Sequence, residues 1–385
     1  MKLFHTADWH LGKLIHGVYM TEEQAYILDR FIEAIQEEQP DAVIIAGDLY
    51  DRAIPPTEAV DLLNRVLKTI VVDLQTPVLA IAGNHDSPDR VHFGSDLMKS
   101  QGLHIVGQFQ YPYEPVKLSD EYGEVHFHLI PYADPGVVRH VVGNEDIHSH
   151  DDAMRIVMNE IHASKDPNVR HVFVGHAFVT AMGEAEENTS DAERPLSIGG
   201  AEYVNSHYFA QFHYTALGHL HQGHYVRDKK IRYSGSPMKY SISEEKHKKG
   251  FYIVELDGAG DVQLEKRELA PRRDMYTIEA RLEDILRHTR RDDYVFVRLL
   301  DETPVMQPME KIRSVYPNAM HVERVMQRQT INEEGETAVS RHKMDDLALM
   351  KAFFKEMKGK DLSEEKERLF LEVLKELQDR EGERK

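Results

Sequence analysis

Residues 78–87 read VLAIAGNHDS: five apolar residues, a glycine, and then Asn84, His85 and Asp86 delivered together. The first five suit a strand buried on both faces. The fold reading turns on whether other strands end the same way, and four more do. LFHTADWH (3–10), VIIAGDLYD (43–51), VFVGH (172–176) and YTALGHLH (214–221) each place carboxylate or imidazole groups directly after an apolar run. In an open α/β sheet, ligands collect in the crevice outside the carboxyl ends of the strands. The five strand ends are therefore expected to converge on one site.

Amphipathic helical segments separate these strands. TEEQAYILDRFIEAIQEEQP (21–40) carries Leu28, Phe31, Ile32 and Ile35 on one face and closes at Pro40, and Thr21 and Gln24 have capping-box spacing. TEAVDLLNRVLKTI (57–70) repeats the scheme, with Thr57 as cap and Val60, Leu63, Leu67 and Ile70 on one face. This alternation predicts an α/β fold of β-sheets flanked by helices over residues 1–270. Beyond ELAPRRDM (268–275) the pattern changes to MYTIEARL, YVFVRLL and AMHVERV, with helical MEKIRSVY before the last. We expect a small α/β domain over 274–330, with Pro271 in its linker. The charged stretch RQTINEEGETAVSRHK links onward to C-terminal helices over 341–385. Leu347, Met350, Phe354 and Met357, and then Phe370, Leu374 and Leu377, form apolar stripes there, suited to packing on their own domain or to docking a partner's helices.

The 385 residues contain no cysteine, so thiolate metal sites and disulfides are excluded, and any metal must be held by nitrogen or oxygen donors. No apolar run approaches the roughly 20 residues of a membrane span. The opening MKLFHTADWH lacks the pattern of a signal peptide. We expect a cytoplasmic protein without a membrane partner. The net charge of −19 argues against a generally basic surface that coats nucleic acid. From Arg341 onward 12 basic residues balance 12 acidic ones, so the negative excess lies wholly before that point.

Asp8, His10, Asp48, Asn84, His176, His219 and His221 offer too many ligands for one tetrahedral zinc, and two ions sharing a carboxylate is the economical arrangement. Each residue alone has an ordinary reading: Asp8 or Asp48 capping a turn, Asn84 closing an Asx turn, a histidine hydrogen-bonded after a strand. Five such strand ends in one βαβ region are not explained that way. Gly47, Gly83, Gly175 and Gly218 precede ligands, where a missing side chain lets the chain turn or approach the ions closely. Mixed imidazole and carboxylate ligation favours manganese over magnesium or calcium, with iron or zinc also compatible. Arg90 and the basic runs RDKKIRY (227–233) and EEKHKKG (244–250) are candidate phosphate contacts that read first as solvated turns. Trp9 reads as packing beside the site.

The motifs DWH, GDLYD, GNHD, GH and GHLH, in that order, resemble those of the calcineurin-like metallophosphoesterases. The longer strings TADWHLGK, GNHDSPDR and YSGSPMKYS are similar to the branch that contains the SbcD-type nuclease subunits. The resemblance implies a layered metallophosphoesterase fold with a small capping domain. It implies that Asp8, His10 and His221 bind a first ion, Asp48 bridges, and Asn84, His176 and His219 complete the second. His85 would stabilise the transition state or protonate the leaving oxygen. Asp51 stands where archaeal relatives carry a histidine, and we expect it to orient His85 or a ligand.

The same resemblance implies a DNA exonuclease and endonuclease acting in end processing, repair and recombination. Its partner would be an SbcC-type coiled-coil ATPase docked by the C-terminal helices. A homodimer within a heterotetramer is expected. Two ions about 3.5–4 Å apart can activate water and clamp a phosphodiester, so metal would meet much of the substrate's charge. Two rival readings remain at this point: a dinuclear phosphodiesterase acting on small nucleotides, and a scaffold that regulates an ATPase around a vestigial site.

Overall fold

Every residue of the strand Ala42–Ala46 is buried, but successive side chains enter different cores. Val43 and Ile45 pack with Ile27, Leu28, Phe31 and Ile35 of helix α1 (Thr21–Glu38) and with Leu63, Val66 and Leu67 of helix α2 (Thr57–Lys68). Ala42, Ile44 and Ala46 instead meet Phe127, Val172, Val174 and Ala216 of a second sheet. The period-two alternation of a strand thus yields one face for helices and one for a sheet. In the computed structural model, which describes residues 1–182, 193, 202–325, 346–363 and 366–373, this produces a helix, sheet, sheet, helix sandwich.

The first six-stranded sheet runs Val262–Glu268, Gly250–Leu256, Lys2–Thr6, Ala42–Ala46, Val78–Ile81, Leu103–Val106. Its last four strands are parallel. The second runs Tyr225–Val226, Asp228–Tyr233, Tyr214–Gly218, Arg170–His176, Gly123–Ile130, Val116–Asp120, with a parallel centre. Its outer face is covered by Val157, Met158 and Ile161 of the helix His150–Ser164. Register aligns the strand ends: Thr6 pairs with Ile45, Ala46 with Ile81, and Gly218 with His176. The fold is the layered α/β arrangement expected, and the five motif-bearing ends share one edge of the sandwich.

Met275–Ala280, Tyr294–Leu299 and Ala319–Arg324 form a separate parallel sheet, with the helix Pro308–Arg313 before its last strand. Ile278, Ile285, Val295, Val297 and Ile312 make its own core. One side seats on the main body, where Met275, Tyr294, Phe296 and Met320 join the cluster around α1.

Three local expectations are corrected. The Thr21–Gln24 capping box is not formed: Met20 occupies the cap position and Gln24 turns inward to hold a loop, a competing use of the same side chain. Thr57 does not cap α2, where Pro56 stands at the cap and no side chain bonds the free N–H groups. Val60 does not join the buried face of α2, being 42% exposed.

At the C-terminus, the helix Asp346–Lys358 and helical residues 366–373 pack on each other through Lys351–Glu367 at 2.6 Å and Lys366 over the Phe354 ring. Phe353, Leu369, Leu371 and Val373 remain exposed, whereas Leu347, Met350, Phe354 and Phe370 are half-buried. Leu374, Leu377, the side chain of Met357 and the segment 328–343 lie outside the described residues. Among the described residues, no helix is long and apolar enough to cross a membrane.

Candidate metal centre

The loops after the strands are held in costly backbone conformations. Asp8, His10, Asp48 and His219 all have positive φ, at 54°, 44°, 52° and 105°. Such left-handed non-glycine residues cost of order 1–3 kcal/mol each and persist only where the surroundings fix them. Here Asp8 N donates to Gly47 O and His10 N to Asp48 O, both at 3.0 Å, and His219 N donates to Asp8 Oδ1 at 2.9 Å. Of the four glycines expected near ligands, only Gly47 uses a left-handed φ, at 91°. Gly83 and Gly218 instead admit close approach: a Cβ would strike Asp48 at Gly83 and the carbonyl of Ala46 at Gly218.

All seven expected ligands and His85 come together at this edge. Asp48 Oδ2 lies 3.4 Å from His176 Nε2 and 3.6 Å from His10 Nε2, between the two histidines expected on different ions. His10 Nε2 is 3.0 Å from His221 Nε2, and His176 Nε2 is 2.9 Å from Asn84 Oδ1. The rings of His176 and His219 are 5.4 Å apart. Two groups each bring three donor atoms within 4.8 Å of one another: Asp8 with Asp48 and His176, and His10 with Asp51 and His85. Asp51, expected only to orient its neighbours, therefore stands within ligand reach, with its carboxylate paired to Lys13 at 2.8 Å.

Hydrogen bonds on the far side of each ring decide which nitrogen faces inward. His176 Nδ1 donates to Ala46 O and His221 Nδ1 meets the Glu244 carboxylate, both at 2.9 Å, so each turns Nε2 to the centre. His85 Nδ1 donates to the backbone carbonyl of Asp51 at 2.8 Å, which frees its Nε2. Asp51 thus orients His85 through its main chain. Asp8 Oδ2 and His10 Nδ1 are buried here without a hydrogen-bond partner. Lone pairs of imidazole, carboxylate and amide oxygen facing one another in a buried site fit divalent cations, and the donor set suits them.

Burial and mutual charge set the protonation of these donors. Burial pushes Asp8 up to about 8, against the pull of His176 and with Asp48 adding to the rise. Burial would also raise Asp48, but His176 and His10 hold it well below the usual carboxylate range. Burial disfavours a charged His176, yet the Asp48 carboxylate carries it up to about 9. His10, His219 and His221 are driven down by burial and stay neutral, as metal ligands must.

Sequence reasoning missed several supports. The Asp86 carboxylate accepts from the N–H groups of Leu49, Tyr50 and Gly83 and so ties two ligand loops together. Glu244 and Lys249, in a run taken for a solvated turn, are buried and paired at 2.6 Å, and Lys249 also donates to His221 O. Trp9 is buried beside the site as expected, its Nε1 donating to Thr6 Oγ1.

Comparison with known proteins matches residues 1–223 to the calcineurin-like phosphoesterase family and residues 271–358 to a family described as the type 5 capsule protein repressor C-terminal domain. The chain is 33% identical to the D chain of the nuclease SbcCD from Staphylococcus epidermidis, over 99% of this chain and 100% of that protein. Among solved structures, TT1561 of Thermus thermophilus aligns with a TM-score of 0.38 and 11% identity, over 69% of this chain and 98% of its own. A dimetal phosphatase from Danio rerio aligns with a TM-score of 0.38 and 12% identity, over 70% and 96%.

Proposed function

The chain belongs to the calcineurin-like phosphoesterases and, within them, to the SbcD family of nuclease subunits, and from that premise we infer that it is a two-metal DNA nuclease working with an SbcC-type ATPase. The observation that carries the chemistry is the position of Asp48 Oδ2 between His10 Nε2 and His176 Nε2, where one carboxylate reaches both halves of the site. Asp8, His10 and His221 would hold one divalent ion, Asn84, His176 and His219 the other, and Asp48 both. Manganese is the favoured metal. The ions would supply Lewis acidity to the phosphodiester and to the attacking water.

The chain's own residues supply orientation and a proton. His85, fixed through Nδ1 by Asp51 O and through its main-chain N–H by Asp48 Oδ1, presents Nε2 to the departing sugar oxygen. An imidazole N–H at that position can pass a proton to this oxygen. The buried supports keep the ligand atoms aimed while substrate exchanges, which is the positional accuracy that catalysis by fixed charges requires.

The remaining parts of the reading rest on placement and family. We assign residues 1–270 to the nuclease domain, 274–330 to the capping domain and 341–385 to docking of the ATPase, the last with only 346–363 and 366–373 among the described residues. Exposed Phe353, Leu369, Leu371 and Val373 support a partner surface there. A homodimer is part of the same proposal, with the exposed Val60, Val72 and Phe93 as candidate contacts.

Cleavage of linear duplex and single-stranded DNA, with manganese or EDTA and with or without the ATPase, tests the reading. Manganese-dependent cleavage that the ATPase extends on duplex ends supports it. Hydrolysis of bis-p-nitrophenyl phosphate with DNA left intact favours a small-nucleotide phosphodiesterase instead.

A further inference from the structure

Two pairs of sequence neighbours divide their work in the same way. On α1, Gln24 turns into the loop that carries His10: its Nε2 donates to Trp9 O at 3.1 Å and His10 O at 2.7 Å, and its Oε1 accepts from Gly12 N at 3.0 Å. The preceding residue, Glu23, faces the three-stranded domain. Its buried carboxylate receives Arg272 at 2.8 Å, Arg273, and the hydroxyl of Tyr294 at 3.2 Å.

In the turn Ile242–Glu244, Glu244 meets His221 Nδ1 at 2.9 Å, Lys249 Nζ at 2.6 Å and Tyr240 N at 3.2 Å. The next residue, Glu245, accepts from Thr277 N at 2.9 Å, on the first strand of the three-stranded domain. Successive residues of a helical turn point about 100–120° apart, so one side chain can face the centre and its neighbour the other domain. Tyr240 joins the two pairs, since its main-chain N–H donates to Glu244 and its hydroxyl accepts from Gln24 Nε2.

The other half of the centre is supported differently. His176, which ends a strand of the second sheet, is held by Ala46 O, His219 N donates to Asp8 Oδ1, and the GNHD loop is held by Asp86 through Leu49, Tyr50 and Gly83, none of them in the three-stranded domain.

We propose that Gln24 and Glu244 are positioning residues for the His10 and His221 half of the centre, and that Glu23 and Glu245 make the seat of the three-stranded domain part of the same support. The consequence is asymmetric. Loosening that seat lowers cation affinity at the His10 and His221 half and leaves the Asn84, His176 and His219 half unchanged. The inference rests on the dinuclear reading above.

The test is stepwise manganese binding to the full chain by calorimetry, with Mn²⁺ EPR as a second readout and thermal unfolding to establish that each variant is folded. Wild type is expected to bind two ions. Glu244→Gln should weaken one step by about 10- to 100-fold, the range usual for residues that orient metal ligands. Glu245→Ala and Arg273→Ala should weaken the same step by roughly 10-fold. Glu245→Gln should restore it, because its amide oxygen still accepts from Thr277 N. Two-site binding in wild type with unchanged affinities in Glu245→Ala and Arg273→Ala, or equal losses at both steps, overturns this inference alone. Failure of wild type to bind any metal overturns the dinuclear reading and this inference with it.

Discussion

The carboxylate of Asp48 sits 3.4 Å from Nε2 of His176, and its other oxygen accepts the main-chain N–H of His85 at 2.9 Å. One side chain therefore aligns a ligand histidine and the loop that carries the proton donor. Asp48→Asn keeps the shape and removes the charge. It should lower phosphodiester hydrolysis by roughly 100-fold or more and reduce bound metal, since the residue both ligates and orients. Hydrolysis rates and metal content of the variant check this, and near-normal values for both contradict the bridging role.

His85 contributes through its free Nε2. Replacing it with Ala should lower the hydrolytic rate by about 10²- to 10⁴-fold, the usual range for a general acid, with two ions still bound. Single-turnover rates and metal analysis on the same sample separate the two effects. Unchanged cleavage would remove His85 from the chemistry.

Gly218 packs against the backbone of the neighbouring sheet, where a Cβ would strike Ala46 O and crowd His176 Nδ1. Gly218→Ala should destabilise the chain by about 1–3 kcal/mol, the cost of overpacking a close contact. It should also weaken metal binding by displacing His176. A melting curve and metal titration identical to wild type would show that the two sheets can separate freely at this edge.

A second histidine cluster lies on the second sheet, away from the centre. His128 Nε2 meets His171 Nδ1 at 2.9 Å, and Tyr113 bonds the other nitrogen of His128. His126, His162, His213 and Lys165 lie close by. Burial first, and the neighbouring His171 and His126 next, push His128 down to about 3, and burial lowers His162, His171 and His213 as well. Folded pKa values below the unfolded value of about 6.5 mean that the unfolded chain binds more protons once the pH drops below that value. The cluster's contribution to stability is complete above pH 6.5 and is lost as pH falls toward 3. His128 alone should account for about 2 kcal/mol at pH 5. Urea unfolding at pH 7.5 and 5.0 should show a smaller loss in His128→Gln than in wild type, and equal losses would contradict the assignment.

Deletion of residues 341–385 should abolish co-purification with the ATPase while leaving manganese-dependent hydrolysis of a small phosphodiester intact. Full retention of the partner would place its docking surface elsewhere.

The strand ends were legible because their chemistry is written locally: an apolar run, a glycine, then donor groups, as in AIAGNHD. The buried face of α1 was legible from its spacing, and Leu28, Phe31, Ile32 and Ile35 are all buried. What escaped depends on long-range partners. Gln24 occupies a capping-box position but reaches Tyr240, 216 residues away. Glu244 and Lys249 looked solvated because nothing in EEKHKKG reveals that His221 lies against them. The left-handed φ of Asp8, His10 and Asp48 could not be read from residue type, since aspartate and histidine adopt it only where tertiary hydrogen bonds enforce it. Val60 kept helical spacing with Leu63 and Leu67 yet faces outward, because spacing fixes a stripe without fixing how much of it is covered.

The central claim is that two divalent ions at this centre are required for DNA cleavage. Its most direct test measures metal content and cleavage of linear duplex DNA on one preparation of the chain with its ATPase, before EDTA, after EDTA and after manganese is restored. Two ions per chain are expected, with cleavage lost on chelation and recovered with manganese. Cleavage that persists in the stripped protein would contradict the claim.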